Sequence, residues 1–268
     1  VQAVLDTEIE ESGELKPDTN SKTAVEFKNV YLKYSGAGDY SLEDISFSAN
    51  KGDTVGIIGA TGCGKTSLIN LIPGFYTAEK GDVRVFGEDV SKLNRSVLLS
   101  KISIVPQRAS LFSGSIRKNM LIGNPEASDE EIISAITMAQ ARDILSSKKE
   151  GLDFCLSAGG KNLSGGQRQR LTIARALVKK PEILILDDSF SALDFATDAA
   201  LRSAIRSLTF SPTVFMVSQR ISSIIGADKI LVLDDGKLVG CGTHSELLES
   251  CEIYREIYIS QSGEEAAV

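Results

Sequence analysis

Lys65 and Thr66 stand inside the stretch GATGCGKTS, Gly59 to Ser67, which has the spacing G-x-x-x-x-G-K-[ST]. These residue types suit one task, which is holding a chain of phosphates. Glycines at 59, 62 and 64 let backbone N–H groups turn inward around phosphate oxygens. A helix following the loop points the positive end of its dipole at the same anion. Lys65 has the reach for β- and γ-phosphates, and Thr66 offers a hydroxyl to Mg²⁺. Much later, ILILDDSFSALD (183–194) runs four apolar residues into Asp187 and Asp188. A carboxylate ending a buried strand beside such a loop is placed to hold Mg²⁺, usually through water.

The elements that must position these residues are legible as patterns. TVGIIG (54–59) reads as a short buried strand feeding the glycine loop. KISIVPQ (101–107), EILILDD (182–188) and TVFMVSQ (213–219) read as strands of the same kind, and AVEFKNVYLKY alternates as a strand does. KILVLDDGKLVG (229–240) predicts a hairpin with Asp235-Gly236 in its turn. SDEEIISAITMAQARDIL predicts a helix from Ser128, with Glu131 at capping-box spacing and apolar positions at Ile132, Ile133, Ile136, Ala139 and Ala141. SGGQRQRLTIARALVKKP predicts another, stopped by Pro181. Strands alternating with helices argue for a mostly parallel α/β sheet.

A formal charge of −7 disfavours non-specific binding to nucleic acid. Cys63, Cys155, Cys241 and Cys251 are scattered without a C-x-x-C pair, and His244 is the lone histidine. The expectation is four free thiols in a reducing compartment and no metal cluster. Cys63 lies in the glycine loop near Lys65 and a helix start, a setting that favours thiolate and ATP-protected labelling by thiol reagents; the alternative is a small residue that simply fills a loop position. No apolar run approaches the ~18 residues a membrane span needs. Residues 1–22 are acidic and polar and read as a linker, and 263–268 as a loose tail. A start at Val1 rather than Met suggests a fragment or a processed product.

LSGGQ, Leu163 to Gln167, is the most specific feature. With the glycine loop it makes the chain resemble the nucleotide-binding domain of the ABC transporter family. The resemblance covers residues 23–262. It implies an α/β fold: a P-loop NTPase (RecA-like) core, an antiparallel β subdomain, and an inserted α-helical subdomain over about 108–178. Further matches fall in the family's order. Tyr34 matches the aromatic that stacks on adenine, and Gln107 the glutamine that contacts Mg²⁺ and reports to the membrane domain. SALD, ending in Asp194, matches the D-loop, and LFSGSIRKNM (111–120) looks like an exporter segment. The start VQAVLDTE is similar to the link leaving an exporter's last membrane helix.

The resemblance implies ATP and Mg²⁺ as cofactors. ATP would be held by Gly59, Thr61, Gly62, Cys63, Gly64, Lys65, Thr66 and Ser67, and Mg²⁺ by Thr66, Gln107 and Asp187. It also implies a head-to-tail dimer, in which Ser164, Gly165, Gly166 and Gln167 complete the site of a second ABC domain. A transmembrane domain of the same transporter would place the chain at the cytoplasmic face of a bacterial membrane.

Two positions depart from the family. The hydrolytic glutamate is replaced by Asp188, whose carboxylate sits back by about one bond, ~1.5 Å. The switch histidine is replaced by Gln219, which donates a hydrogen bond but takes no proton. Both departures strike one step, with Asp188, Gln219 and Gln107 as the catalytic candidates. The combination resembles the degenerate subunit of a heterodimeric exporter, whose partner chain carries the Glu and the His. Other classes are an ordinary homodimeric exporter ATPase, a soluble ABC protein acting on ribosomes or DNA, and an ATP-dependent clamp without turnover. One cassette, no sustained heptads and an acidic balance count against the soluble protein. Cargo is not readable from this chain.

Overall fold

The computed structural model describes residues 13–18 and 20–263. Its centre is a six-stranded sheet in the order β12-β11-β3-β10-β9-β6. These strands are β3 (Thr54–Ile58), β6 (Ile102–Val105), β9 (Ile183–Asp187), β10 (Thr213–Val217), β11 (Lys229–Asp234) and β12 (Lys237–Gly242). All neighbours run parallel except β12, which returns antiparallel at the edge. A second, antiparallel sheet has the order β2-β1-β4-β5: β1 (Thr23–Leu32), β2 (Leu42–Asn50), β4 (Lys80–Val85) and β5 (Glu88–Asp89).

The parallel strands are apolar throughout because both faces are covered. Successive side chains point to opposite faces and so divide between two cores. Ile183 and Ile185 of β9, with Phe215 and Val217 of β10, pack toward the antiparallel sheet. Leu184, Leu186, Val214 and Met216 pack toward the helices on the other side. The core is thus an α/β P-loop NTPase fold with an antiparallel β subdomain and a helical part.

The helices are α1 (Lys65–Leu71), α2 (Arg95–Lys101), α3 (Ile116–Leu121), α4 (Asp129–Met138), α5 (Arg142–Ser146), α6 (Gly165–Val178), α7 (Phe195–Arg206), α8 (Ile221–Ile224), α9 (His244–Ser250) and α10 (Glu252–Ser262). The helical lobe also carries a short hairpin, β7 (Gly114–Ser115) with β8 (Cys155–Leu156).

The helix expected from Ser128 begins as read, with the capping box formed, but does not run on to Leu145. Gln140 adopts φ 56, Ala141 N–H donates to Ile136 O (2.9 Å), and Gln140 N–H donates to Thr137 O (3.0 Å). This is a Schellman stop without glycine. Arg170 braces it by donating to Gln140 O and pairing with Asp143 at 2.7 Å. The helix of SGGQ ends at Val178, before Pro181, with Lys180 left-handed at φ 52.

The segment read as a linker is docked where it is described. Leu15 pairs with Leu93, its N–H donating to Lys92 O (3.1 Å) and its carbonyl accepting from Asn94 (2.8 Å). Residues 1–12 and 19, and 264–268 of the tail, lie outside the described residues. Among the described residues no helix is long and apolar enough to cross a membrane.

Candidate functional site

Four adjacent strands of the parallel sheet deliver the candidate residues at their carboxyl ends. The glycine loop follows β3, Gln219 follows β10, Asp187 closes β9, and Gln107 follows β6. Ligands of open α/β sheets bind at this edge. The residues face a cleft of about 190 Å³, with Thr61, Gly62, Gly64, Lys65, Thr66 and Ser67 on one side and Gln107, Asp187, Asp188 and Gln219 on the other.

On the loop side, α1 begins without any side-chain cap, and no acid sits in its first turn. Its N-cap Gly64 has φ 98, and a Cβ there would fall 2.8 Å from Ser41 O and Leu42 Cδ2, so glycine is required. The first helical N–H groups have no intrahelical partner, as at every helix start, and among the described residues no side chain caps them. The Lys65 ammonium donates to Gly59 O (2.8 Å) and Ala60 O (2.6 Å), which centres it under the loop. The hairpin turn buttresses the loop: Gly236 N–H donates to Cys63 O (3.3 Å), and Asp235 and Gly236 both have positive φ.

For Cys63 burial favours the small loop residue over the reactive thiol, although Lys65 Nζ donates to its sulfur at 3.7 Å. Its side chain is 5% exposed, belongs to the core under the loop, and does not face the cleft. A small residue fits there because the loop folds back on β3. Gly59 likewise does not line the cleft.

Thr66 Oγ1 donates to Asp187 Oδ2 at 3.2 Å, so a hydroxyl and a carboxylate converge. Burial raises the Asp187 carboxyl above its ordinary value and the neighbouring Asp188 adds to this, while the Thr66 hydrogen bond and Lys65 oppose it. Converging hard oxygens that include an incompletely compensated carboxylate fit a divalent cation such as Mg²⁺.

Asp188 is 9% exposed and left-handed at φ 44. Its Oδ2 accepts from Gln107 Nε2 (3.1 Å) and Gln219 Nε2 (3.3 Å), so the three catalytic candidates meet on one oxygen. Ser189, missed in the sequence, is fully buried and donates to Val105 O (3.0 Å), tying this corner to the end of β6. Tyr34 lies beyond the loop, its hydroxyl donating to Ser67 Oγ (2.9 Å) and its ring edge-on to Tyr76.

The LSGGQ residues are elsewhere. Ser164 caps α6, accepting from Gln167 N–H (3.2 Å), and Gln167 Oε1 accepts from Ser164 N–H (3.0 Å). Ser164, Gly165, Gly166 and Gln167 do not line the cleft of their own chain. Asp194 caps α7, and the Thr197 backbone N–H and hydroxyl hold its carboxyl below the ordinary range.

The family described as "ABC transporter" matches residues 42–191. The chain is 41% identical over 264 residues to "Uncharacterized ABC transporter ATP-binding protein YfiB" of Bacillus subtilis, covering 98% of this chain and 46% of that protein. It is 38% identical over 238 residues to "Putative multidrug export ATP-binding/permease protein YgaD" of the same organism, covering 89% and 41%. Among solved structures it resembles a bacterial Atm1-family ABC exporter with ATP bound, at TM-score 0.91 and 33% identity, covering 98% of this chain and 47% of that one. The chain spans about half the length of the relatives it matches.

Proposed function

The chain belongs to the ABC transporter family, and from that premise we propose that it is the ATP-binding motor domain of an exporter, with weak hydrolysis at its own site. The observation that carries this reading is the juxtaposition of an uncapped helix start, the centred Lys65 and the Thr66–Asp187 pair in one cleft. Residues 23–262 form the ATP-binding unit, with its helical part at about 108–178, and 1–22 lead from a membrane domain. The motor works at the cytoplasmic face of a bacterial membrane. A relative whose printed name includes export and permease, and which is about twice as long, supports the link to a membrane transporter.

In this reading the loop N–H groups and Lys65 bind the triphosphate, and Tyr34 stacks on the adenine. Thr66, Asp187 and Gln107 hold Mg²⁺, which supplies charge neutralisation when bound. Gln107 would face the metal with its amide oxygen, while its Nε2 is the atom that donates to Asp188 (3.1 Å), so one amide could serve both groups. Asp188 is the acceptor for the proton of the attacking water, but it is one methylene short. A 1 Å misplacement costs about 10²-fold. Gln219 donates to the γ-phosphate without bringing charge to the transition state.

Because the LSGGQ residues do not line the chain's own cleft, they complete the site of a second ABC domain in this reading. The partner is a different chain that supplies a glutamate and a histidine at the positions of Asp188 and Gln219. Steady-state ATP hydrolysis and ATP affinity of the chain, beside its Asp188→Glu/Gln219→His double variant, test this. Tight binding with negligible turnover, and a gain of about 10²-fold in the double variant, is expected. Substantial turnover by the unaltered chain would mean that Asp188 works as it stands and the partner is a second copy.

A further inference from the structure

The loop carrying Gln219 is held from outside by the last helix. Gln261 of α10 donates from Nε2 to Gln219 O (2.6 Å) and accepts at Oε1 from Ile221 N–H (2.8 Å). One side-chain amide thus grips the backbone on both sides of Arg220. Ile221 opens α8, whose N-cap Arg220 makes no side-chain cap, so Gln261 satisfies a helix-start donor from 40 residues away. The base of this grip is firm, because α10 is anchored by Tyr254, which is fully buried with its hydroxyl 2.8 Å from His244 Nδ1. The far side of the loop is fixed separately. Buried Asp198 accepts from Ser223 Oγ (3.0 Å) and from Arg202 Nε (2.8 Å), and Arg202 also donates to Ser222 O (2.8 Å).

We infer that Gln261 is a positioning residue for Gln219, setting the peptide plane from which the Gln219 amide reaches toward the cleft. The inference rests on the proposed role of Gln219 at the γ-phosphate. A charged imidazolium acts through a field that falls off gradually, whereas a neutral amide acts through a hydrogen bond that weakens steeply with angle. A glutamine at 219 therefore depends on its backbone being held more than a histidine would.

The test uses the chain itself with Gln261→Met and Gln261→Glu, both good helix formers, so α10 is retained. Hydrogen exchange at the Ile221 amide is read without nucleotide, and affinities for Mg-ATP and Mg-ADP are read by calorimetry. In Gln261→Met, Ile221 loses protection and the preference for ATP over ADP falls about three- to tenfold, the size of one or two ordinary hydrogen bonds, with ADP affinity unchanged. Gln261→Glu keeps the acceptor for Ile221 and so its protection, but loses the donor to Gln219 O and part of the ATP preference. In a Gln219→Ala background, Gln261→Met has no further effect on the preference.

An unchanged preference in Gln261→Met, with Ile221 protection lost, would overturn the positioning role and leave the nucleotide reading intact. A parent chain that does not bind Mg-ATP would sink the nucleotide reading and the inference with it.

Discussion

The starts of α1 and α6 are both proposed to meet phosphate, and they are built in opposite ways. At α1 nothing caps the helix, and its donors wait for an anion. At α6 the reciprocal pair Ser164 and Gln167 takes two of the backbone donors, Gln167 N–H and Ser164 N–H, and leaves those of Gly165 and Gly166 outside the box. The open start can bind within one chain. The boxed start is held in shape before any anion comes and offers fewer donors, which suits a surface that engages only when a second domain arrives.

The two starts share one trait, the lack of an acid in the first turn. The capping boxes of α4 and α9 are closed by Glu131 and Glu246 instead, and α4 adds Asp129 and Glu130. A glutamate is the better partner for a helix dipole when no anion has to be met. The neutral Gln167 is what a box looks like when its charge must be left to the ligand.

The comparison breaks most sharply at Lys65. Lys65→Ala should weaken Mg-ATP binding by roughly 10²-fold or more, since charge-assisted contacts to phosphate are lost and the loop carbonyls lose their donor. Calorimetric titration checks it, and near-parental affinity would mean that the open helix start suffices alone. Gln167→Glu comes next. It keeps both bonds of the box and gains with the dipole, so thermal stability holds or rises. Its carboxylate faces the incoming phosphate, so ATP-driven association at this face should weaken by about tenfold or more. Sedimentation at matched ATP would show this, and unimpaired association would mean that α6 does not meet phosphate.

The smallest effect is at the box with no anion to meet. The Lys180 hydrogen bond, then the Ser128 N–H, hold Glu131 below the ordinary glutamate range. A depressed carboxyl contributes stability that is present above its unfolded value and lost as the pH falls through the lower folded one. Glu131→Gln should therefore lower the urea midpoint slightly at neutral pH, and the gap should close on acidification. A gap that persists in acid would assign the effect to packing.

Much of this was legible because the chemistry is local. The glycine loop, the acids of β9 and the box at Ser164 are contiguous stretches whose spacing states their geometry, and the apolar strands stand out because both faces are buried. What escaped depends on contacts between distant segments. Gln140 ends a helix with a conformation usually given to glycine, stabilised by Arg170 thirty residues on. Cys63 looks exposed in a list of loop residues, but it is buried beneath the loop, with Lys65 Nζ 3.7 Å from its sulfur. Residues 13–18 read as linker because polarity hides their backbone bonds to the antiparallel subdomain. Nothing about Gln261 in sequence marks it as a partner of residues 219 and 221.

The left-handed backbone at Asp188 bears on the routes open to this sequence over time. Aspartate enters that conformation more readily than glutamate does, and the strain there is on the order of 1–2 kcal/mol for an ordinary side chain. A single codon change from Asp188 to Glu would bring the missing methylene together with a loss of stability. In the proposed reading, the Asp188→Glu change would therefore show itself in two quantities at once, a rate and a melting temperature, moving in opposite senses.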